Sequence, residues 1–538
     1  LDSPTVGEME ELLLNRLQDT LSDLTPSSFW DLDQVPGFPN DVYENNRAGY
    51  EEMESWYDGT VLDDTDKQSG KEVELYPVRI NPIRGAVMKH AAVLFGDVID
   101  DGRPLVIPRM VVKTEDKELA EEAEEALNIL WYENHGRALQ LRNGILSQYL
   151  GGCVFKLTYV PDETWRTIPI RIELVHPKSF VGIADASDYW RLRKGFVVRM
   201  ISKELAKDYG VSVDKDEVWM VEEWGRGYYK VLIDGKLASR QFGTVRKDMG
   251  GTNPFNAVPM VYIPHTRTEG LYGESLIEGL TGIVKEINLR AGDYGDAVSD
   301  DAHAWLAMKN VHGTPKIVEL APGVKVIDLK SMTSVAGGSQ QPDITAIKQA
   351  TASQAMGTLW EKLYEQFRRD AYIPAVADGE DEGSQRSAMT LSFRMWPLAS
   401  HVAMERILWT TGMNWFNSLA LRMMAKPEIS AHMQKMGAPA IKEDHGRLRM
   451  RQDWAPMFPR DRESIINEIV ARASSNSASI ETLLELAGDI EDVPEEKKQI
   501  IAWLKLLQEA ENPPENDMSE NPNKVIKTQK SKEARPNE

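Results

Sequence analysis

Residues 373–396, IPAVADGEDEGSQRSAMTLSFRMW, constrain this chain more than any other stretch. They set an acidic loop, with Asp378, Glu380, Asp381 and Glu382, between two long apolar helical patterns, Ala346 to Tyr372 and Ser387 to Met424. The first pattern presents Met356, Leu359, Trp360, Leu363 and Phe367 at helical spacing and predicts a helix with one apolar side. The second spreads Leu391, Trp396, Leu398, Val402, Ile407, Leu408, Trp415 and Leu419 nearly all round, which predicts a buried helix of nearly 40 residues. Pro397 is expected to kink it near one end, because proline removes a backbone hydrogen bond and clashes with the preceding turn. A connection between two buried helices is ordinarily short and plain. This one has hinges at Gly379, Gly383 and Ser384 and a run of like charge, so it reads as a mobile segment that repels anions.

Upstream, Leu276, Leu280, Ile283, Ile287, Ala291, Tyr294 and Val298 fall three or four apart and predict another helix over about 273–304. At 1.5 Å per residue it would be roughly 45 Å long. Gly279, Gly282, Gly292 and Gly295 lower its intrinsic stability by about 1 kcal/mol each relative to alanine, so neighbours must supply the difference. Between this helix and the next, LAMKN, PKIVELA and GVKVIDLK read as strands, a small β module inserted between helices over 306–345.

Further helices are predicted over 6–24, 81–97 and 117–152, the last broken near Gly136, while TPSSFWDLDQVPGFPN reads as loop. Residues 153–264 alternate β-branched and aromatic residues with polar ones, and Asp234-Gly235 marks a hairpin. RLRMRQDWAPMFP returns a strand toward the core, and 460–510 reads as three short helices with Pro494 in a first turn and Gly488 as a stop. The polar, Pro-rich tail from Asn512 is expected to be disordered. The fold class is therefore α+β, mainly helical with antiparallel β parts. At 538 residues more than one core is expected.

Net charge and chemistry narrow the function. A chain of net charge −22 cannot grip a nucleic-acid duplex over its general surface, because such binding relies on Lys and Arg displacing counterions. The single Cys153 leaves no pair for a disulfide and no Cys-based zinc cluster, which fits the cytoplasm. No apolar run reaches the roughly 18 to 20 residues that span a bilayer, and LDSPTVGEMEELLL carries acids where a signal peptide needs bases. No phosphate-loop, dinucleotide, zincin or serine-hydrolase motif occurs, and the histidines have no partner at i+3 or i+4. Asp296, Asp300 and Asp301, with His303, are the best acidic constellation outside the loop and at helical spacing could hold Mg²⁺ for a nuclease or hydrolase. The plainer reading of the same residues is the solvated face of an amphipathic helix. Asp63, Asp64 and Asp66 lack the Gly and Glu spacing of a calcium loop. No cofactor is called for.

The succession NPIRGAVMKHAAVLFGD, GLYGESLIEGLTGIVKEIN…SDDAHAWLAMKN, SQRSAMTLSFRMWPLASHV and WAPMFPRDRESIINEI…SASIETLLELAGDIEDVPEEKKQI resembles the portal proteins of tailed bacteriophages. The resemblance covers nearly the whole chain after about residue 30 and rests on the order and spacing of these stretches together. It implies a portal-type subunit: a wing over 1–272 and 387–459, stem helices over 273–305 and 346–373, and a clip over 306–345. The tunnel loop would be 374–386, the crown 460–511 and the disordered tail 512–538.

It also implies a structural role without enzymatic activity, in a closed homo-oligomeric ring, typically a dodecamer, at the capsid vertex of the virion. Double-stranded DNA would pass through its channel in packaging and ejection. The implied partners are the terminase large subunit, which would hydrolyse ATP, the major capsid and scaffolding proteins, and the head-completion adaptors, with assembly in the host cytoplasm and no membrane. On this reading Asp378, Glu380, Asp381, Glu382, Gln385 and Arg386 line the channel, where like charge lets DNA slide without sticking. Lys285 and Arg290 would be stem residues that brush the backbone.

Overall fold

The computed structural model describes residues 38–511 apart from 97–103, 112–115, 239–250, 310–315, 329–342, 348–351, 380–392, 459–461, 488–492 and scattered shorter gaps. Over 300–353 it describes the backbone alone. The chain divides into two compact units at Phe458/Pro459.

The first unit opens with helix α1 (Asn40–Asp58), a hairpin of β1 (Thr65–Gln68) and β2 (Lys71–Glu74), and α2 (Pro82–Phe95). Asn81 caps α2, its side chain accepting from the Ile83 N–H, with Pro82 in the first turn. Strand β3 (Val106–Val111) leads to α3 (Lys117–Glu133) and α4 (Gly136–Leu150). The predicted break between these helices is present, and the residue that turns the chain is His135, at φ 55°. At Gly151 (φ 74°) an added Cβ would lie 2.4 Å from the Gly273 carbonyl, so only glycine fits the exit from α4.

Then come β4 (Gly152–Tyr159), β5 (Ile170–Val175), β6 (Phe180–Asp185), β7 (Asp188–Ser202), α5 (Lys203–Asp208), β8 (Glu217–Gly225), β9 (Tyr229–Ile233), β10 (Lys236–Leu237) and β11 (Met260–Pro264). They form an antiparallel five-stranded sheet of order β10-β9-β8-β7-β6 and a three-stranded sheet of order β11-β4-β5. Asp234 (φ 50°) and Gly235 (φ 73°) make the predicted two-residue hairpin between β9 and β10, both in the left-handed region such a turn requires.

Short strands β12 (Thr266–Arg267) and β13 (Gly273–Glu274) pair before helix α6 (Thr281–Ala302). The insert holds β14 (Trp305–Lys309), β15 (Lys316–Ala321), β16 (Val324–Asp328) and β17 (Asp343–Ile347), with β14 paired to β17 and β15 to β16. Its first and last strands thus close on each other. Helix α7 (Ala352–Asp370) follows, then α8 (Trp396–Met424), α9 (Pro427–Lys435) and β18 (Arg449–Trp454), which pairs with β3 across Arg449↔Val111 to Trp454↔Val106.

Two expected helix starts and one expected kink are corrected. α6 begins at Thr281, not near 273, because Ser275 and Leu276 are tied to the end of α4: Ser275 Oγ donates to the Tyr149 carbonyl at 2.8 Å, and the Leu276 N–H donates to the Gln148 carbonyl at 2.9 Å. α7 begins at Ala352 because Asp343–Ile347 is claimed by β14. Pro397 does not kink α8. It stands in the helix's first turn, where a missing N–H leaves no bond unmade.

The main core joins α2, α3, β4, β11 and α8 through Phe95, Trp131, Phe155, Trp409 and Phe416, with Phe155 within 5.3–6.1 Å of the Trp131, Trp409 and Phe416 rings. α8 lies close enough on β11 that a Cβ on Gly412 would meet Ile263 at 2.5 Å. A second core fills the space between the sheets, and a third joins α1, α2, α4, α6 and α7. Lys156 on β4, 1% exposed, reaches Glu222 on β8 at 2.6 Å and Glu173 on β5 at 3.1 Å. Arg199 on β7 reaches the same two carboxylates at 3.6 and 3.3 Å.

The second unit carries the three predicted helices, α10 (Arg462–Ser474), α11 (Ile480–Ala487) and α12 (Val493–Glu511). Ser479 Oγ accepts from the Thr482 N–H at the start of α11. The helix expected over 6–24 and the tail from Asn512 lie outside the described residues.

Candidate functional site

Helices α6 and α7 pack on each other and carry both the β insert and the start of the acidic loop. The approach is close: a Cβ on Gly357 of α7 would lie 3.3 Å from the Tyr294 ring of α6. Val284 and Ile287 of α6 and Phe367 of α7 are buried with Trp56 of α1 and Ile83 and Val87 of α2, so the pair is rooted in the rest of the unit.

Asn288 strengthens that root. It is fully buried; its Oδ1 accepts from the Ile80 N–H at 2.6 Å, and its Nδ2 donates to the Ile80 carbonyl at 2.9 Å. Asn288→Ala leaves the Ile80 N–H and C=O without these partners and is expected to cost about 2 kcal/mol, read as a lowered urea midpoint. An unchanged midpoint would show that the junction does not depend on this side chain.

The end of α7 builds the base of the loop. The Ile373 N–H donates to the Arg368 carbonyl at 2.8 Å and the Tyr372 N–H to the Arg369 carbonyl at 3.0 Å, a Schellman pair with Tyr372 in the left-handed position usually held by glycine (φ 55°). A tyrosine there costs of order 1 kcal/mol or more, so something must hold it. Its ring stacks on His401 of α8 with centroids 4.5 Å apart and planes at 21°. A short 3₁₀ turn, Ala375–Asp378, then ends at Gly379 (φ 77°).

Asp378 is pinned at this base, paired to Lys89 of α2 and 3.8 Å from Arg368 of α7. Of the predicted loop residues it alone is described. Glu380, Asp381, Glu382, Gln385 and Arg386 lie outside the described residues.

Beneath Tyr372 sits a cluster that no local spacing reveals. His90 of α2 meets His401 edge-on at 5.2 Å, and His265, after β11, lies 5.6 Å from His401. His90 Nε2 donates to the Ala371 carbonyl at 2.8 Å and so ties α2 to the last turn of α7. Glu405 of α8 accepts from Gln148 of α4 at 2.6 Å, and its second oxygen stands 4.0 Å from His265 Nε2, too far to be a hydrogen bond.

Burial decides the charge states. It lowers His90 to about 4, against the Ala371 bond and with help from His401. It lowers His265 to about 3, assisted by His401 and His90, and also lowers His401. Burial raises Glu405 to about 8, against bonds from Gln148 and Ser147. At neutral pH the histidines are neutral and the carboxyl is protonated, so His265 and Glu405 are not an ion pair despite their proximity. The histidines are 90, 265 and 401, from three distant parts of the chain, and only the fold brings them together.

The remaining predicted residues are placed as follows. Lys285 Nζ lies 5.3 Å from the centre of the Trp56 ring, directed at α1. Arg290 is matched along its own helix by Glu286 and Asp293, each at 2.7 Å. Asp296 is exposed, and the side chains of Asp300, Asp301 and His303 lie outside the described residues. Asp63 pairs with Arg79 at 2.7 Å. Among the described residues no group of three His, Cys, Asp or Glu side chains could hold a metal ion. No helix among them is long and apolar enough to cross a membrane.

The model of one protein family, described as phage portal protein, SPP1 Gp6-like, matches residues 111–509. No curated protein matches the chain.

Proposed function

The chain belongs to the SPP1 Gp6-like family of phage portal proteins, and from that premise we propose that it forms the ring at the capsid vertex through which double-stranded DNA is packaged and ejected. The observation that carries the reading is the succession within the matched region: α6, the β insert closed by β14 and β17, α7, the acidic loop and α8. In this reading α6 and α7 are the stem, the insert is the clip that docks the terminase large subunit, and the segment after Asp378 is the tunnel loop. The second unit is the crown. Capsid, scaffolding and head-completion proteins meet other faces of the ring, which nucleates capsid assembly. The subunit performs no chemistry of its own.

The loop works by repulsion. Asp378 is neutralised by Lys89 and Arg368, so in this reading the repelling charge of the loop is that of Glu380, Asp381 and Glu382. Repeated around a channel, these present like charge to phosphate and keep the duplex centred and sliding.

Negative-stain imaging of the purified protein tests the ring: an annulus with an opening wide enough for a duplex is expected, and its absence would overturn the reading. The loop has its own test. Changing Glu380, Asp381 and Glu382 together to lysine should leave the ring intact and slow packaging by on the order of tenfold at low salt, with partial recovery as salt rises. Packaging at the unaltered rate and length would remove the loop from this role.

A further inference from the structure

Helix α8 presents to solvent a face unlike any other long helix in the first unit. Phe393, just before the helix, and Trp396, Met404 and Ile407 within it are 68%, 65%, 61% and 66% exposed. With Ser400 and Thr411 they follow the i, i+3/i+4 course of one side of the helix. The opposite side, with Val402, Trp409, Met413 and Phe416, is fully buried in the main core, so the helix is apolar on both sides.

The charge pattern says what covers the outer side. Of the chain's 538 residues 84 are acidic, yet α8 holds one acid, Glu405, and it is buried. Arg406 is turned inward, donating to the Val93 and Leu94 carbonyls at 3.2 and 2.9 Å. By contrast the exposed sides of α3 and α7 carry Glu118, Glu121 and Glu125, and Glu361, Glu365 and Asp370. A chain of net charge −22 repels its own copies wherever acids face each other, so an apolar surface free of acids is one on which copies can pack without that repulsion.

We propose that the side of α8 bearing Trp396, Met404 and Ile407, extended by Phe393, is the surface on which a second copy of this chain packs. The inference rests on the ring reading above. In a ring of more than two subunits the contact is head to tail, so this surface meets a different face of the neighbour, not its own counterpart. Four large side chains, each more than three-fifths exposed and sharing an uncharged stripe, have the composition of the centre of such a contact.

The test introduces acids on this side. Met404→Glu together with Ile407→Glu, compared with the unaltered chain by sizing with light scattering, should raise the concentration needed for half assembly by on the order of a hundredfold. The thermal melt of the subunit should be unchanged, because neither side chain is in the core. Rings forming at the unaltered concentration would overturn the proposal. A second variant reads the surface without disturbing it. Ile407→Cys introduces an accessible thiol in a chain whose own Cys153 is fully buried. Maleimide labelling should be fast in the monomer fraction and suppressed in the ring. Labelling in both fractions would overturn the proposal, as would protection in both, which would mean that the chain's own 380–392 segment covers the surface. If the unaltered chain forms no ring at all, the ring reading itself fails and this inference with it. Rings that tolerate the substitutions sink the inference alone.

Discussion

Lys156→Met is expected to lower the free energy of unfolding of the first unit by about 3–5 kcal/mol at pH 7. Lys156 is enclosed between the two sheets with its ammonium on Glu222 and Glu173, and Arg199 completes a network of two cations and two anions. Methionine restores the volume but not the charge. It leaves two largely buried carboxylates sharing one guanidinium, and an uncompensated buried charge is what makes such a change costly. Burial alone would raise Glu173, but Lys156 and Arg199 hold it at about 2. The same attraction raises Lys156, against its own burial.

The sign of the pH dependence follows. A carboxyl held below its unfolded value stabilises the fold above about pH 4.5, and that contribution is lost as pH falls toward 2. The cost of Lys156→Met should therefore shrink on acidification, as the orphaned carboxylates take up protons. Adding Glu222→Leu should restore much of the loss, since one anion then faces one cation. Urea denaturation at pH 7 and pH 4 checks both, and a difference below about 1 kcal/mol at pH 7 would show that the network is solvated rather than enclosed.

How far the architecture was legible depends on whether its cause is local. The Asp234-Gly235 hairpin, the break before Gly136, the strands of the insert and the three helices of the second unit all follow from turn chemistry and periodicity within a few residues. α1 was not predicted: NDVYENNRAGYEEMESWYD is mostly polar, and the residues it buries, Tyr43, Tyr50 and Trp56, are too widely spaced to form a dense stripe. The start of α6 was misread because Leu276 and Leu280 keep helical spacing and are buried, while the backbone around Ser275 is bound to α4, a contact made between residues more than a hundred positions apart. At Pro397 the same residue type serves a kink or a first turn, and only the end of the helix distinguishes them.

The candidate site divides in the same way. The acidic loop and its flanking helices are visible as a pattern, and the family match spans them. That Asp378 belongs to the anchor rather than to the free charge is not visible, because Lys89 lies 289 positions away. Nor is the histidine cluster, whose members come from α2, from just after β11 and from α8 and have no histidine three or four positions away. These hidden contacts converge on one place: Lys89 and His90 of α2 both reach the segment between Ala371 and Asp378, and Tyr372 leans on His401. The root of the acidic loop is thus held by an ion pair, a carbonyl bond and a ring stack from two other helices.

Glu405→Gln is expected to make the protein more stable than the unaltered chain above about pH 7, by a few kcal/mol at pH 9. Burial raises the folded Glu405 to about 8, whereas its unfolded value is near 4.5. Stability held by the protonated carboxyl is therefore complete below pH 4.5 and is lost as pH rises through 8. Glutamine keeps the acceptor for Gln148 at the same place and never ionises, so this alkaline loss disappears. The histidines act in the opposite sense. His90 and His265 are held below 6.5, at about 4 and about 3, so their contribution is present above pH 6.5 and is lost as pH falls through those values. His401 shifts the same way, and the Arg406 guanidinium favours the ionised form of the carboxyl without overcoming its burial. With two histidines losing stability on the acid side and one carboxyl on the alkaline side, the cluster contributes most near pH 6.5. The substitution should flatten the limb above pH 6.5 and steepen the rise between pH 4.5 and 6.5, where the carboxyl's loss otherwise offsets the histidines' gain. Urea midpoints from pH 5 to pH 9 decide this, and curves that stay parallel across pH 6 to 9 would show that Glu405 is not held protonated in the fold.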